Sequence, residues 1–335
     1  MKPAHHRAKW MADGSYGVMV HYLLSPAGET LEAKTAELNR IIDAFDLDTF
    51  VKQFEESGAD WLIFTIGQNT GYYNSSNSVT DRLIPGRTPK RDLVMEMAQR
   101  VKKLKKRFIV YFPAPLESPT PPDIQQAFGW NQEDQTHFFK RYHNCIRAYS
   151  EKFGSLCDGW WFDGCYDWIS KGRWDWSDWI APARAGNPNS IVALNDGAFC
   201  VAREKPVSPR QDYHAGEVHL LHKGQIVFGY PPEGGFKISR DGRLLYEENP
   251  AKLYMPKSQY IDGVQWHALV PMDSSFNAPT IPYSACHYSD EELLQFLRGC
   301  KSVKGAVTFN APIDINGHIP AETAAQLKRI GKVVR

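Results

Sequence analysis

Eight short strand-like runs, seven of them apolar, recur along the chain with amphipathic stretches between them, and this alternation is the strongest constraint on what it can fold into. The runs lie at 17–23, 61–66, 108–112, 159–162, 191–194, near 212–217, at 264–269 and at 306–309. Helix-period patterns intervene at about 47–56, 91–106, 132–153, 290–300 and 321–333. Asp46 and Ser289 stand where N-caps are wanted, and Glu292 follows Ser289 by three residues as in a capping box. Short strands alternating with helices mark parallel α/β architecture. Eight such units within 335 residues predict an α/β fold, a (β/α)8 TIM-like barrel making one domain over residues 1–335. The sixth run is not apolar, and the fifth crossover is a Pro- and Arg-rich loop where a helix is wanted. Residues 218–260 form a long excursion with turn signals at Pro231-Pro232-Glu233-Gly234-Gly235 and Arg240-Asp241-Gly242. They predict a hairpin-bearing β-rich insertion over the barrel mouth.

Composition excludes several classes of function. Hydrophobic residues at 42% and charged residues at 23% describe a globular chain. With 39 basic against 38 acidic residues there is no electrostatic footprint for nucleic acid. The one basic run, Lys102, Lys103, Lys105, Lys106 and Arg107, closes a helical stretch, where cations suit the helix dipole. No apolar run reaches the roughly 18 residues of a membrane span, so no membrane partner is expected. The N-terminus lacks the apolar core of a signal peptide. A cytoplasmic location is expected as numbered, and a periplasmic or secreted one where a leader has been removed. Six cysteines are spread singly with no CxxC pair, so buried free thiols are expected, with no metal site and no cofactor. Oligomeric state is not legible.

Aromatics are the outlier: ten Trp, fifteen Tyr and seventeen Phe. The segment from Trp174 to Trp179 reads either as a ligand-facing rim or as an irregular packed loop. Gly159-Trp160-Trp161-Phe162-Asp163-Gly164 is a bulky strand that ends on a carboxylate and a turn glycine. An ionised acid is costly to bury without partners, so Asp163 is placed at a cleft. In a barrel, residues just past each strand converge on one mouth. These are His21 and Tyr22, then Gln68, Asn69 and Tyr72, then Pro113 and Glu117, Asp163, Asn195 and Asp196. The later strands contribute Asp212, His214 and Glu217, then Trp266 and His267, then Asn310. Amides, imidazoles, aromatics and a few acids suit a sugar, whose hydroxyls need polar partners and whose apolar face needs a ring. Two carboxylates are the minimum for cleaving a glycosidic bond. Asp163, short and held on a strand, fits the nucleophile. Glu217, on a longer arm beside Val218, fits the acid/base.

The order of these pieces resembles the family 29 glycoside hydrolases, the α-L-fucosidases. Trp10 followed by Tyr16-Gly17-Val18-Met19-Val20-His21-Tyr22 is similar to their opening strand. Residues 50–65, with Ser57-Gly58-Ala59-Asp60-Trp61 in the middle, resemble their helix and second strand. Trp161-Phe162-Asp163-Gly164 matches the strand that carries the family nucleophile, and Asp212-Tyr213-His214-Ala215-Gly216-Glu217 resembles the acid/base segment. Asn310 through Pro320, then Leu327 to Gly331, look like the closing signature. The resemblance implies a retaining exo-glycosidase with a carbohydrate substrate, Asp163 as nucleophile and Glu217 as acid/base. It also implies a pocket of His21, Tyr22, Gln68, Asn69, Tyr72, Trp160, Asn195, His214, Trp266 and His267. The chain departs from the family at three points. Gln68-Asn69 stand where the family has a His-His pair, Trp266-His267 where it often has Trp-Glu, and the expected barrel carries no C-terminal β-sandwich. The expected ligand is therefore either fucose held differently or another sugar.

Two other readings compete. A non-catalytic glycan-binding barrel would keep the pocket and lose hydrolysis, in line with the rewritten second and seventh strand ends. A metal hydrolase would use His214, His219 and His222, whose spacing of five then three can share a helix face. No HExxH pattern supports it.

Overall fold

A computed structural model describes residues 7–68, 70–113, 120–130, 135–166, 170, 174–197, 205–227, 236–238, 244–246, 253–272 and 288–334. Its main sheet has seven parallel strands: β1 (Gly17–Val20), β2 (Trp61–Thr65), β3 (Arg107–Pro113), β4 (Gly159–Asp163), β5 (Ile191–Leu194), β13 (His267–Pro271) and β14 (Ala306–Asn310). They run in the order β13-β14-β1-β2-β3-β4-β5. Between β5 and β13 lies the predicted sixth strand, in irregular form. Asp212 N donates to Val192 O at 2.8 Å, while His214 N and Val218 N donate to Gln265 O and Leu269 O, each at 3.0 Å. Tyr213 and Glu217 bridge Gln265 and Leu269 in parallel register. This segment closes the sheet into a (β/α)8-like barrel. Gly216, at φ +69°, makes the bend possible, because a Cβ there would lie 2.0 Å from the His267 carbonyl oxygen. A strand built around such a bend carries no clean alternation, which is why its sequence is not apolar.

Strand alternation sorts the side chains into two layers. Met19, Trp61, Ile63, Ile109, Tyr111, Trp161, Ala193, Tyr213, Ala215 and Leu269 fill the barrel interior. Val18, Val20, Tyr22, Phe64, Trp160, Phe162 and Trp266 face the surrounding helices. Helix Lys9–Asp13 adds Met11 to the interior cluster, and Trp10 meets Trp61 edge-on at 5.8 Å.

The predicted helices appear as Leu47–Ser57, Leu93–Lys103, Thr136–Phe153, Asp290–Ser302 and Ala321–Val334. Asp46 caps the first through Thr49 N at 3.0 Å, and Ser289 caps the fourth through Glu292 N at 3.2 Å. The capping box is not reciprocal, since the Glu292 carboxylate turns to Gly224 N at 3.3 Å. Helices Leu31–Asp43, Ser78–Leu83, Pro122–Phe128 and Ile180–Ala183 were not expected. The seventh strand is shifted from its predicted 264–269, so Trp266 precedes β13 and His267 is its first residue.

Within 218–272 the short strands β6 (Leu221–His222), β7 (Gln225–Val227) and β10 (Leu253–Tyr254) form a three-stranded sheet. Strands β8 (Phe236–Ile238) and β9 (Leu244–Tyr246) pair as one hairpin, and β11 (Tyr260–Ile261) and β12 (Val264–Gln265) as another. The turn signals at 231–235 and 240–242 lie outside the described residues. Among the described residues no helix is long and apolar enough to cross a membrane. Cys145, Cys157, Cys165 and Cys300 are buried free thiols, and Cys200 and Cys286 lie outside the described residues.

Candidate active site

Asp163 ends β4 on the inward parity, two residues beyond Trp161. Its Oδ2 accepts from the Tyr111 hydroxyl at 2.5 Å and from Gln68 Nε2 at 3.1 Å. Gln68 Nε2 also lies 2.6 Å from the Tyr111 oxygen. That contact orients the hydroxyl: its oxygen accepts from the amide, and its hydrogen is left for Asp163. Tyr111 in turn stacks on Trp161 with ring centroids 5.2 Å apart and 16° between planes.

Asn195 joins the two acids. Its Nδ2 lies 2.8 Å from Asp163 Oδ1 and 2.7 Å from Glu217 Oε2, which keeps these oxygens within about 5.5 Å of each other. The backbone holds it firmly, since Asn195 N donates to Phe162 O and Asn195 O accepts from Cys165 N. Its Oδ1 accepts from Gly197 N at 3.1 Å, so the amide can face only one way, nitrogen toward the carboxyls. Glu217 reaches the same point from the far side of the ring, on the segment that Gly216 bends.

Burial, reinforced by the nearby Asp163 charge, pushes the Glu217 carboxyl up to about 8. At neutral pH it holds its proton, as a general acid must. Tyr166, three residues past Asp163, is raised above the ordinary phenol range by burial and then by the charges of Asp163 and Glu217. His21 Nδ1 meets Asn310 Oδ1 at 2.7 Å, and its ring edge meets Tyr111 at 5.3 Å. Burial lowers its pKa, so the imidazole is neutral and donates from Nδ1.

Of the predicted site residues, Asp163, Glu217, Gln68 and Asn195 share one hydrogen-bonded network, and His21 flanks it. Asn69 and Glu117 lie outside the described residues. Four others are corrected, Tyr22 and Trp160 by parity, Trp266 because it precedes β13, and Tyr72 by its burial past the end of β2. Tyr22, Tyr72, Trp160 and Trp266 belong to the outer layer. Tyr22 donates to Ile315 O at 2.8 Å, and the Arg87 guanidinium covers Tyr72 at 4.6 Å. Trp160 stacks on Phe162, its neighbour on the same outward face, at 5.5 Å.

His267 is also corrected. It faces the interior, yet every polar contact it makes is with the barrel wall. Trp61 Nε1 donates to Thr308 Oγ1 at 2.8 Å, and Thr308 contacts His267 Nε2 at 2.7 Å. His267 Nδ1 then donates to the carbonyls of His214 and Ala215 at 2.9 and 3.1 Å. Burial takes its pKa down to about 4, so a neutral imidazole ties the irregular sixth strand to the barrel. His214 is buried and likewise neutral at about 4, and it lines a small cavity with Glu217, Asp196 and Lys205. It takes no part in the carboxylate network.

Trp176 and Trp179 are buried against Trp174, Phe139 and His143, so that segment is a packed one, with a 3-10 turn at Trp176–Trp179. No group of His, Cys, Asp or Glu among the described residues could hold a metal ion. Sequence reasoning missed Tyr111, Trp161 in its inward role, and Tyr166. Counting back by two from Pro113, the β3 partner of Asp163, would have found Tyr111.

The model of the alpha-L-fucosidase family matches residues 34–225, more than half of the chain and all of the carboxylate network. The chain belongs to the alpha-L-fucosidase family. It is a glycoside hydrolase. The opening-strand and closing signatures fall outside the matched stretch. Among solved structures, alpha-L-fucosidase isoenzyme 1 from Paenibacillus thiaminolyticus is similar, with a TM-score of 0.65 and 18% identity over 98% of this chain and 75% of that one. The endo-fucoidan hydrolase P5AFcnA of glycoside hydrolase family 107 superposes with a TM-score of 0.62 at 13% identity, covering 98% of this chain and 93% of that one. Alpha-L-fucosidase AlfC from Lactobacillus casei does so with a TM-score of 0.58 at 13% identity, covering 98% of each chain. At these identities the likeness shows a shared barrel fold. No curated protein sequence matches the chain.

Proposed function

We propose that this chain is a retaining exo-glycosidase that removes a terminal α-L-fucoside, or a close relative of that sugar, from an oligosaccharide or glycoconjugate. One observation carries the reading: a single amide nitrogen, Asn195 Nδ2, touches both acids, at 2.8 and 2.7 Å. Inverting enzymes need about 6.5–9.5 Å between carboxyls to seat a water; retaining ones need about 5–5.5 Å. Asp163 attacks the anomeric carbon, while Glu217 gives its proton to the departing oxygen. In the second half Glu217 removes a proton from water, which displaces Asp163 from the sugar. The family match supports fucose as the sugar. Gln68, which stands where the family has a histidine, bonds Asp163 instead, and this supports a sugar pocket that differs from the family's usual one.

The test is a panel of aryl glycosides, with proton NMR of the first-formed anomer. Retention of configuration is expected, as is loss of turnover in Asp163→Ala with a glycosyl azide formed when azide is added. Normal turnover in that variant, or inversion in the wild type, would refute the assignment.

A further inference from the structure

The hydrogen bonds on Asp163 are unequal, and the inequality distinguishes its two oxygens. An ionised carboxylate offers about two lone pairs on each oxygen. Oδ2 accepts from both Tyr111 and Gln68, so its in-plane positions are filled. Oδ1 accepts from Asn195 and keeps its second position open.

Building on the retaining reading, we propose that Oδ1 of Asp163 forms the bond to the anomeric carbon, and that Tyr111 and Gln68 are positioning residues that govern how the glycosyl-enzyme breaks down. In the first step a lone pair of Oδ1 makes the C1–O bond. The bond from C1 to the leaving oxygen breaks, and that oxygen takes the Glu217 proton. Oδ2 becomes the neutral carbonyl oxygen of an ester, still facing Tyr111 and Gln68. In the second step water adds to C1, its proton goes to Glu217, and the Oδ1–C1 electron pair returns to Asp163. The carboxylate charge is regenerated there, half of it on Oδ2.

A hydrogen bond to a charged oxygen is stronger than one to a neutral carbonyl. The Tyr111 and Gln68 donors therefore hold the free carboxylate more tightly than the ester. They restrain the attack and assist the release. Removing them slows deglycosylation without slowing glycosylation, a pattern that simple damage to the barrel does not produce.

Tyr111→Phe keeps the ring that stacks on Trp161 and deletes the hydroxyl. With the aryl glycoside that the wild type hydrolyses, kcat is expected to fall about tenfold or more. KM falls in parallel, so kcat/KM stays within about threefold or rises, and a burst of the released phenol appears. Gln68→Met, which preserves side-chain length, is expected to shift both constants in the same direction. It carries the test if Tyr111→Phe does not fold. A fall in kcat/KM at unchanged KM, with no burst, overturns the proposal.

A 2-deoxy-2-fluoro glycosyl fluoride of the same sugar separates this proposal from the reading beneath it. A wild-type label found by peptide mapping on a residue other than Asp163 sinks the retaining assignment itself. A label on Asp163, combined with a variant that loses kcat/KM, sinks only the role given to Tyr111 and Gln68.

Discussion

Replacing Asn195 by Leu removes the donor between the two acids while keeping the side chain's branched shape. In the native site Asn195 Nδ2 donates to Glu217 Oε2 at 2.7 Å, and this bond favours the ionised form. It opposes two larger influences, burial and the Asp163 charge, which together take the carboxyl up to about 8. A hydrogen bond to a charged group contributes about 1.5–3 kcal/mol, and about 1.4 kcal/mol corresponds to one pKa unit. Because the amide is shared with Asp163, a shift near the lower end is expected, about one unit upward. The assay is kcat/KM against pH on an aryl glycoside with a poor leaving group, whose basic limb reports the acid of the free enzyme. The limb should start near the wild-type value of about 8 and move to higher pH in Asn195→Leu. A limb that stays in place, or moves to lower pH, would refute the claim that Asn195 holds Glu217 in the ionisable range.

Two further outcomes follow from the same geometry. Glu217 has its folded pKa raised above the ordinary carboxyl value, so the native state binds a proton that the unfolded chain releases, and stability falls as pH rises from about 4.5 toward 8. Glu217→Gln should therefore stabilise the protein at pH 7 by on the order of 2–3 kcal/mol, with the gain fading below about pH 4.5; denaturant melts at both pH values measure it. Gly216→Ala would put a Cβ 2.0 Å from the His267 carbonyl oxygen at φ +69°, and should lower stability by about 1–3 kcal/mol and reduce turnover together. An unchanged melting temperature in that variant would show that the sixth strand is not pinned at the bend.

Much of the barrel was legible because its strands are buried on both faces and read as apolar runs, whatever their register. The face of each side chain was not. Trp160 and Trp161 differ by one position, and a one-residue change of parity exchanges the pocket for the outer layer. The same ambiguity placed Tyr22 in the cleft, and starting the seventh strand too early, at 264, placed Trp266 and His267 there. Helix Leu31–Asp43 escaped notice because its buried positions reduce to Leu38, Ile41 and Ile42 near its C-terminal end. Tyr111 was hidden by a rule that looks past strand ends, whereas β3 already delivers its hydroxyl from within the strand.

The residue order alone was enough for the kind of barrel and for singling out the two acids that meet on Asn195. Strand identity depends on local apolar runs, and Asp163 and Glu217 are set apart by chemistry that packing does not require. What needed three dimensions was the meeting of Gln68, Tyr111, Asp163, Asn195 and Glu217 at one point. These residues come from five different wall segments, and hydrogen bonds between them depend on sheet closure, register and the Gly216 bend. None of those is encoded within any one stretch of chain.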